Sequence, residues 1–207
     1  MSLQNRVDPF GTIHADPARG TLTGNRGIIH DPATRTLARR RWTTKSWISC
    51  RLDFKGRRRE VMGAGSWTAL FFLDEATALA AGHRPCFFCR REAALAFRAA
   101  WAEGNKVEIP TAADMDAVLH RERLASGGAP RPISVVDLGT LPDGTMIASG
   151  GRALLVSHGL AREWHFAGYG EPVPLGTLSA GPLAIVTPPS IVATLAAGYR
   201  PQGLPPG

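Results

Sequence analysis

The chain has 207 residues, of which 44% are hydrophobic and 20% are charged, and this balance excludes disordered and fibrous proteins. Glycine and proline are frequent, with 23 and 16 residues, so coiled coils and long-helix bundles are excluded as well. The net charge of +7 favours an anionic partner.

The start of the sequence and its cysteines predict a cellular compartment. The first thirty residues contain no apolar run of signal-peptide length, so we expect a cytoplasmic protein. Its three cysteines are then metal ligands or free thiols rather than disulfides. An uncharged stretch lies between Glu171 and Arg200, but its prolines are incompatible with a continuous helix. We therefore expect no membrane partner.

The first third of the chain predicts short strands. Residues 1–34 alternate glycine, proline and Asx with short apolar pieces and predict an irregular N-terminal arm. Segments 41–50 and 58–62 have strand-like composition around the turn at 54–56, so they predict a β-hairpin. The segment 66–73 predicts a further strand.

The predicted hairpin carries most of the positive charge. Between residues 35 and 59, ten side chains are Arg or Lys and one is acidic. Guanidinium groups match the geometry of phosphate oxygens, and bases can stack on the interleaved Trp42, Trp47 and Phe54. We expect DNA or RNA to bind here; the alternative is a solvated surface whose arginines reflect genome composition. The candidate nucleic-acid-binding residues are Arg39, Arg40, Arg41, Lys45, Lys55, Arg57, Arg58 and Arg59.

Three helices are predicted in the middle of the chain. Asp74 is a good N-cap for a helix at 75–81 that ends at Gly82. A second helix is predicted at 90–101 from its apolar spacing, and a third at 112–124.

The C-terminal part predicts a small antiparallel sheet or barrel followed by a helix at 191–197. Its five short strand segments are separated by Gly-rich and Pro-rich turns and lie at 133–136, 145–149, 152–156, 163–167 and 183–187. Together these elements predict an α+β fold in which a zinc-knuckle hairpin-and-helix module precedes a β-rich module. The expected boundaries are an arm at 1–34, the hairpin, knuckle and helices at 35–124, a linker at 125–132 and the β-rich module at 133–207.

The cysteines predict a metal site. Cys86 and Cys89 form a Cys-x-x-Cys pair that can place two sulfurs on one tetrahedral ion, and Cys50 is the only other thiol in the sequence. We expect zinc, with free buried thiols or a redox pair as alternatives. We also expect positive charge near the pair to favour deprotonation, from Arg84, Arg90 and Arg91.

A closed zinc site requires a fourth ligand. His83 is the candidate that we place with the three cysteines. His30 and His120 are alternatives, and Asp53 is a weaker one. The sequence does not decide among these side chains.

One stretch of the sequence resembles a known zinc domain. Residues 72–85, with Cys86, Cys89 and Arg90, resemble the second half of the zinc-binding domain of Ada-type DNA-repair methyltransferases and the related knuckle of some bacterial nucleases. The resemblance implies zinc ligation by the second cysteine pair and contact with DNA phosphate. Cys50 alone stands for the first pair. The whole chain is also similar to a bacterial family that shares the strings at 24–27 and 73–86, and this implies a bacterial source but no activity.

Two other functions are compatible with the sequence. His120 and Glu122 have the His-x-Glu spacing of zinc deaminases, although they follow the cysteines, and we consider them candidate catalytic residues of a nuclease-like or deaminase-like hydrolase. The alternative role for His120 is a surface pair with Asp116. A module that binds a protein or small ligand on the C-terminal sheet is the third possibility, and it predicts a concave apolar site around Trp164, Phe166 and Tyr169.

Overall fold

The computed structural model describes residues 2–56, 60–125, 129–178 and 181–206. Within these ranges the chain forms fourteen strands and four α-helices, which confirms the α+β class. Two six-stranded sheets account for twelve of the strands, and a two-stranded ribbon of β4 (His30–Asp31) and β5 (Thr36–Leu37) accounts for the others.

The first sheet contains residues that the sequence assigned to an irregular arm. Its strand order is β2-β1-β7-β3-β6-β8. The bounds of these strands are β1 Gln4–Val7, β2 Ile13–Ala15, β3 Leu22–Asn25, β6 Ile48–Arg51, β7 Leu70–Phe72 and β8 Arg84–Pro85. The prediction of an irregular arm at 1–34 is therefore wrong, because its short apolar pieces pair with later strands and bury Val7, Ile13 and Ile29 in a common core.

The predicted basic hairpin is also wrong in the residues described. Strand β6 pairs antiparallel with β3 and parallel with β8, and residues 60–62 form no strand. Gly24 makes the pairing with β3 possible, because a Cβ there would lie 2.2 Å from the carbonyl oxygen of Ile48. Arg57, Arg58 and Arg59 lie outside the described residues.

The helices lie close to their predicted positions. They are α1 Glu75–Ala80, α2 Arg91–Asn105, α3 Ala112–Leu124 and α4 Pro189–Ala196. Asp74 caps α1 by accepting a hydrogen bond of 2.8 Å from the backbone N–H of Thr77. Thr111 and Asp114 form a reciprocal capping box at the start of α3. Local capping chemistry thus fixes where α1 and α3 begin.

The second sheet is antiparallel throughout, with strand order β13-β12-β11-β10-β14-β9. Its strands are β9 Arg131–Ile133, β10 Met146–Ser149, β11 Arg152–Ser157, β12 Leu160–His165, β13 Gly168–Pro174 and β14 Leu183–Ile185. Strand β13 lies where no strand was predicted, and residues 135–140 form a 3-10 helix instead of strand.

Helix α4 packs with α2 and α3, although it follows the second sheet in sequence. Its Ile191 and Leu195 share a buried cluster with Phe97 of α2 and with Met115 and Leu119 of α3. The last helix therefore ties the C-terminal end of the chain to the core of the central helices.

The second sheet also contacts α1 directly. Trp164 donates a hydrogen bond of 3.0 Å from Nε1 to Thr77, and the hydroxyl of Tyr169 donates one of 2.6 Å to Asp74. Phe166 lies edge-on to Trp164 and lines an open surface depression with it. Of the three aromatic residues predicted to surround a concave site, Tyr169 is thus turned towards α1 instead.

Among the residues that the structure describes, no helix is long and apolar enough to cross a bilayer.

The close approach of α2 and α4 predicts that replacing Gly104 with alanine destabilises the protein. A Cβ at Gly104 in α2 would lie 2.1 Å from the carbonyl oxygen of Ala193, so the two backbones must separate to admit it. We expect Gly104→Ala to lower the free energy of unfolding by about 1–3 kcal/mol, measured by urea denaturation.

Gly139→Ala is the matched control, because a Cβ at Gly139 meets nothing within 4 Å. Alanine stabilises an exposed helix by about 1 kcal/mol relative to glycine. A Gly104→Ala protein that is as stable as the parent chain or more stable would show that the close α2–α4 crossing is wrong.

Candidate metal centre

Three cysteine sulfurs from two separate parts of the chain lie together. The Sγ atoms of Cys50, Cys86 and Cys89 are all within 4.8 Å of one another. Tetrahedral thiolate ligation of zinc, with Zn–S bonds of about 2.3 Å, separates sulfurs by about 3.8 Å. Within the described ranges, this is the one group of three or more His, Cys, Asp or Glu side chains close enough to hold a metal ion. The predicted convergence of Cys50 with the Cys-x-x-Cys pair is confirmed.

Strand pairing brings Cys50 to the pair. Strand β6 runs parallel to β8, with Ser49 opposite Pro85, and the backbone N–H of Cys86 donates to the carbonyl of Ser49 at 3.0 Å. Cys50 and Cys86 directly follow the paired Ser49 and Pro85 on the two strands, so the two cysteines lie side by side. A tight turn then returns the chain to the site, because the N–H of Arg90 donates to the carbonyl of Cys86 at 3.0 Å.

The hydrogen bonds within the group make Cys86 its most acidic thiol. The thiol of Cys50 donates to Cys86, and together with the N–H groups of Cys89 and Phe88 it lowers the pKa of Cys86 to about 5. The Phe88 N–H lies 3.4 Å from the sulfur. The same bond and burial raise the pKa of Cys50, while burial raises that of Cys89. Cys86 is thus the thiol of the group that loses its proton most readily, and a thiolate is the form that binds a metal ion.

Two of the arginines near the cysteines are structural. Arg84 forms a buried ion pair with Asp116 at 2.8 Å, and Arg90 forms one with Glu75 at 2.8 Å. Each guanidinium is therefore neutralised by its own carboxylate. The pKa of Cys86 is lowered by hydrogen bonds rather than by these arginines, and only Arg91 of the three is exposed.

The histidines proposed as fourth ligands lie elsewhere. His83 is fully buried between Trp47 and Phe72, with ring centroids 5.1 and 4.6 Å away. The Nδ1 of His30 lies 2.7 Å from the hydroxyl of Thr68. None of these side chains joins the cysteine group among the residues described.

His120 and Glu122 point to different neighbours. His120 packs edge-on against Trp42 at 4.7 Å between centroids. Glu122 accepts hydrogen bonds from the N–H and hydroxyl of Ser190, at 3.1 and 2.7 Å, and so holds the start of α4. Burial raises the pKa of Glu122. The structure does not bring this pair together with the cysteines, and Asp116, the expected partner of His120, pairs with Arg84.

The basic candidates occupy exposed loops. The four that lie between β5 and β6 are Arg39, Arg40, Arg41 and Lys45, all exposed. Lys55 is exposed as well and lies 5.5 Å from the centre of the Phe54 ring.

A groove beside Cys89 contains two arginines that the sequence analysis did not include among the nucleic-acid-binding candidates. Arg51 and Arg91 line this groove with Phe54 and Phe88 and with the acidic Asp53 and Glu92. The backbone N–H of Arg51 donates to the Cys89 sulfur. Cys89 is half-buried there, whereas Cys50 and Cys86 are buried. Each of the two arginines lies within two residues of a cysteine, and this adjacency is the sequence signal for the groove.

The buried Arg84–Asp116 pair predicts a large stability effect. We expect Arg84→Met to lower the free energy of unfolding by about 3–5 kcal/mol, because it leaves the Asp116 carboxylate buried without its partner. Chemical denaturation measures the loss. Arg152→Ala, which breaks the exposed pair with Glu163, is the control and should cost less than about 1 kcal/mol. Equal effects of the two variants would contradict a structural role for Arg84.

The comparisons with known proteins add nothing to this geometry. No family model, curated protein or solved structure matches the chain.

Proposed function

We propose that the protein is a zinc-binding, nucleic-acid-binding protein in which Cys50, Cys86 and Cys89 hold the ion. The single observation that carries this proposal is the convergence of three sulfurs within 4.8 Å from two distant segments. Nucleic acid binds in the groove next to the ion, through exposed arginines and aromatic rings.

The donor set supports zinc. Thiolates are soft ligands that select zinc, copper(I) or iron–sulfur clusters over hard cations. The Cys-x-x-Cys turn with N–H groups directed at Cys86 suits a tetrahedral ion. Without an ion, the thiolate of Cys86 and the thiols of the buried Cys50 and the half-buried Cys89 form hydrogen bonds with one another and with backbone N–H groups. When bound, the ion would cross-link β6 to the start of α2.

The fourth ligand enters from the groove. Cys89 is the most accessible of the three sulfurs, and it lines the groove together with Asp53. The Asp53 carboxylate does not belong to the group of ligand atoms that lie close together, so a water molecule completes the tetrahedron from this side. Because three thiolates offset its charge, the zinc adds no net positive charge and serves as a cross-link, while the arginine and aromatic side chains position the nucleic acid.

The surface of the groove supports nucleic-acid binding. Arg51 and Arg91 supply guanidinium donors for phosphate, and Phe88 is 60% exposed beside Phe54, with ring centroids 5.2 Å apart. Exposed aromatic rings next to cations are typical of single-strand binding surfaces, where bases stack on the rings. The neighbouring Arg57, Arg58 and Arg59 add charge on sequence grounds. The hydrolase alternative gains no support, because His120 and Glu122 contact other elements.

Elemental analysis tests the zinc proposal. We expect inductively coupled plasma mass spectrometry of the purified protein to find one zinc ion per chain. Cys50→Ser should lose the ion, since a serine hydroxyl is a poor zinc ligand. Removal of zinc with a chelator should lower the melting temperature of the parent protein, because the ion cross-links two segments.

His120→Ala is the matched control for metal content and should keep the full zinc content, as its ring packs on Trp42. Circular dichroism checks that Cys50→Ser remains folded. If the parent protein contains no stoichiometric metal, the proposal that the three cysteines bind an ion is wrong. If it contains stoichiometric iron or copper, only the assignment of the ion as zinc is wrong.

The salt dependence of binding tests the nucleic-acid proposal. We expect fluorescence anisotropy with labelled single-stranded DNA and RNA of mixed sequence to show affinity that falls steeply as salt rises. The double variant Arg51→Ala/Arg91→Ala should bind more weakly, and the slope of log affinity against log salt should shrink by about 1–2, because each lost phosphate contact removes about one.

The control variant is Arg152→Ala, which removes an exposed arginine from the second sheet. Its affinity and its salt slope should equal those of the parent protein. Affinity that does not depend on salt, or a double variant that binds as the parent does, would refute binding in the groove.

A further inference from the structure

We infer that the protein has a second binding site, a cleft near Trp47 that takes a small phosphorylated ligand with an apolar or aromatic part. The cleft has a volume of about 260 Å³ and lies between the two sheets. This site is separate from the cysteine groove, since the two share no lining residue.

The walls of the cleft come from distant parts of the chain. The turn at 9–11, the end of α1 at Ala80 and the segment 185–189 after β14 supply mainly apolar surface. Charged groups enter at two places, from Glu122 and Arg123 of α3 and from Arg131 of β9. An apolar cleft with a few convergent polar groups is the usual form of a small-ligand site.

Two arginines at this cleft lack an acidic partner. Arg26 is 2% exposed, and its guanidinium lies 4.0 Å from the centre of the Trp47 ring. Arg123 lies 3.9 Å from the same ring centre. Among the described residues neither forms an ion pair. Of the three arginines that are buried in the described ranges, Arg84 and Arg90 pair with carboxylates and Arg26 does not.

Their hydrogen bonds are incomplete as well. Arg26 donates to the carbonyl of Gly11 at 2.9 Å and to Nε2 of His83 at 3.4 Å, but its Nη2 has no partner in the described part of the chain. Arg123 donates to the carbonyls of Gly82 and Lys45, and its Nε has none there. Buried donors without acceptors cost free energy, which an anionic ligand would recover.

The two arginines lie at or next to the cleft. Arg123 lines it, whereas Arg26 lies behind one of its lining residues, Gly11, where a Cβ would meet Nη2 at 3.5 Å. Burial and the repulsion of Arg123 lower the pKa of Arg26 to about 9. Both guanidiniums therefore contribute positive potential at this end of the cleft.

The charge of the site favours phosphate over carboxylate. Two guanidiniums, those of Arg123 and Arg131, line the cleft with one carboxylate, that of Glu122, which Ser190 already engages, and the guanidinium of Arg26 lies behind Gly11. A phosphate dianion has three oxygens that can accept hydrogen bonds from several guanidinium groups. One carboxylate matches the paired N–H groups of a single guanidinium. The apolar wall calls for a ligand with a ring or short chain attached to the phosphate.

Calorimetry with three probes tests this inference on the full-length protein. We expect phenyl phosphate to bind at least about tenfold more tightly than inorganic phosphate, because its ring buries apolar surface. Benzoate should bind more weakly than phenyl phosphate. Arg131→Ala, an exposed position, and Arg26→Gln should each weaken phenyl phosphate binding by about tenfold or more.

Two control variants locate the site. Arg121→Ala removes an exposed arginine of α3 that does not line the cleft, and Arg91→Ala removes one at the cysteine groove. Both should leave the affinity for phenyl phosphate unchanged. Arg131→Ala keeps the test decisive if Arg26→Gln does not fold. The inference fails if phenyl phosphate does not bind in the millimolar range, if benzoate binds more tightly, or if Arg91→Ala weakens binding as much as Arg131→Ala.

Discussion

The parallel pairing of β6 with β8 is the contact on which the metal centre depends. It involves only two residue pairs, and without it Cys50 would not lie beside Cys86. So short a pairing needs support from side chains. Arg84 supplies it by a buried ion pair with Asp116 of α3, and Arg90 by bonds to Glu75 of α1 and to the hydroxyl of Ser49 at 3.0 Å. A bound ion would add a cross-link between the same segments.

The first turn of α1 connects this region to the rest of the chain. Glu75 pairs with Arg90 and also accepts hydrogen bonds from the hydroxyl of Tyr199 and the N–H of Gln202, at 2.7 and 2.8 Å. Its neighbour Asp74 accepts from Tyr169 of the second sheet. The buried carboxylates of these two successive residues thus connect the cysteine region, the C-terminal segment and the second sheet.

The arginines of this basic protein serve three different purposes. Arg84 and Arg90 are buried with carboxylates and hold elements together. Arg51 and Arg91 line an open groove, where we propose that they bind phosphate. Arg26 and Arg123 flank Trp47 without a direct ion pair, and such positions cost free energy unless a ligand or the aromatic ring compensates the charge. The net charge of the sequence does not distinguish these roles, because they depend on how deeply each arginine is buried and on which group lies beside it.

The sequence by itself determined the α+β class, the starts of α1 and α3 and the involvement of all three cysteines, because capping and Cys-x-x-Cys spacing are local chemistry. It did not determine the partners of the strands. Short apolar pieces at 1–34 gave no signal of their own, and only Gly24 and the long-range pairing with β6 and β7 placed β3 in the first sheet. The roles of Asp116, His83 and Glu122 were likewise decided by tertiary structure, since a polar side chain takes the partner that burial places beside it, whatever its neighbours in sequence.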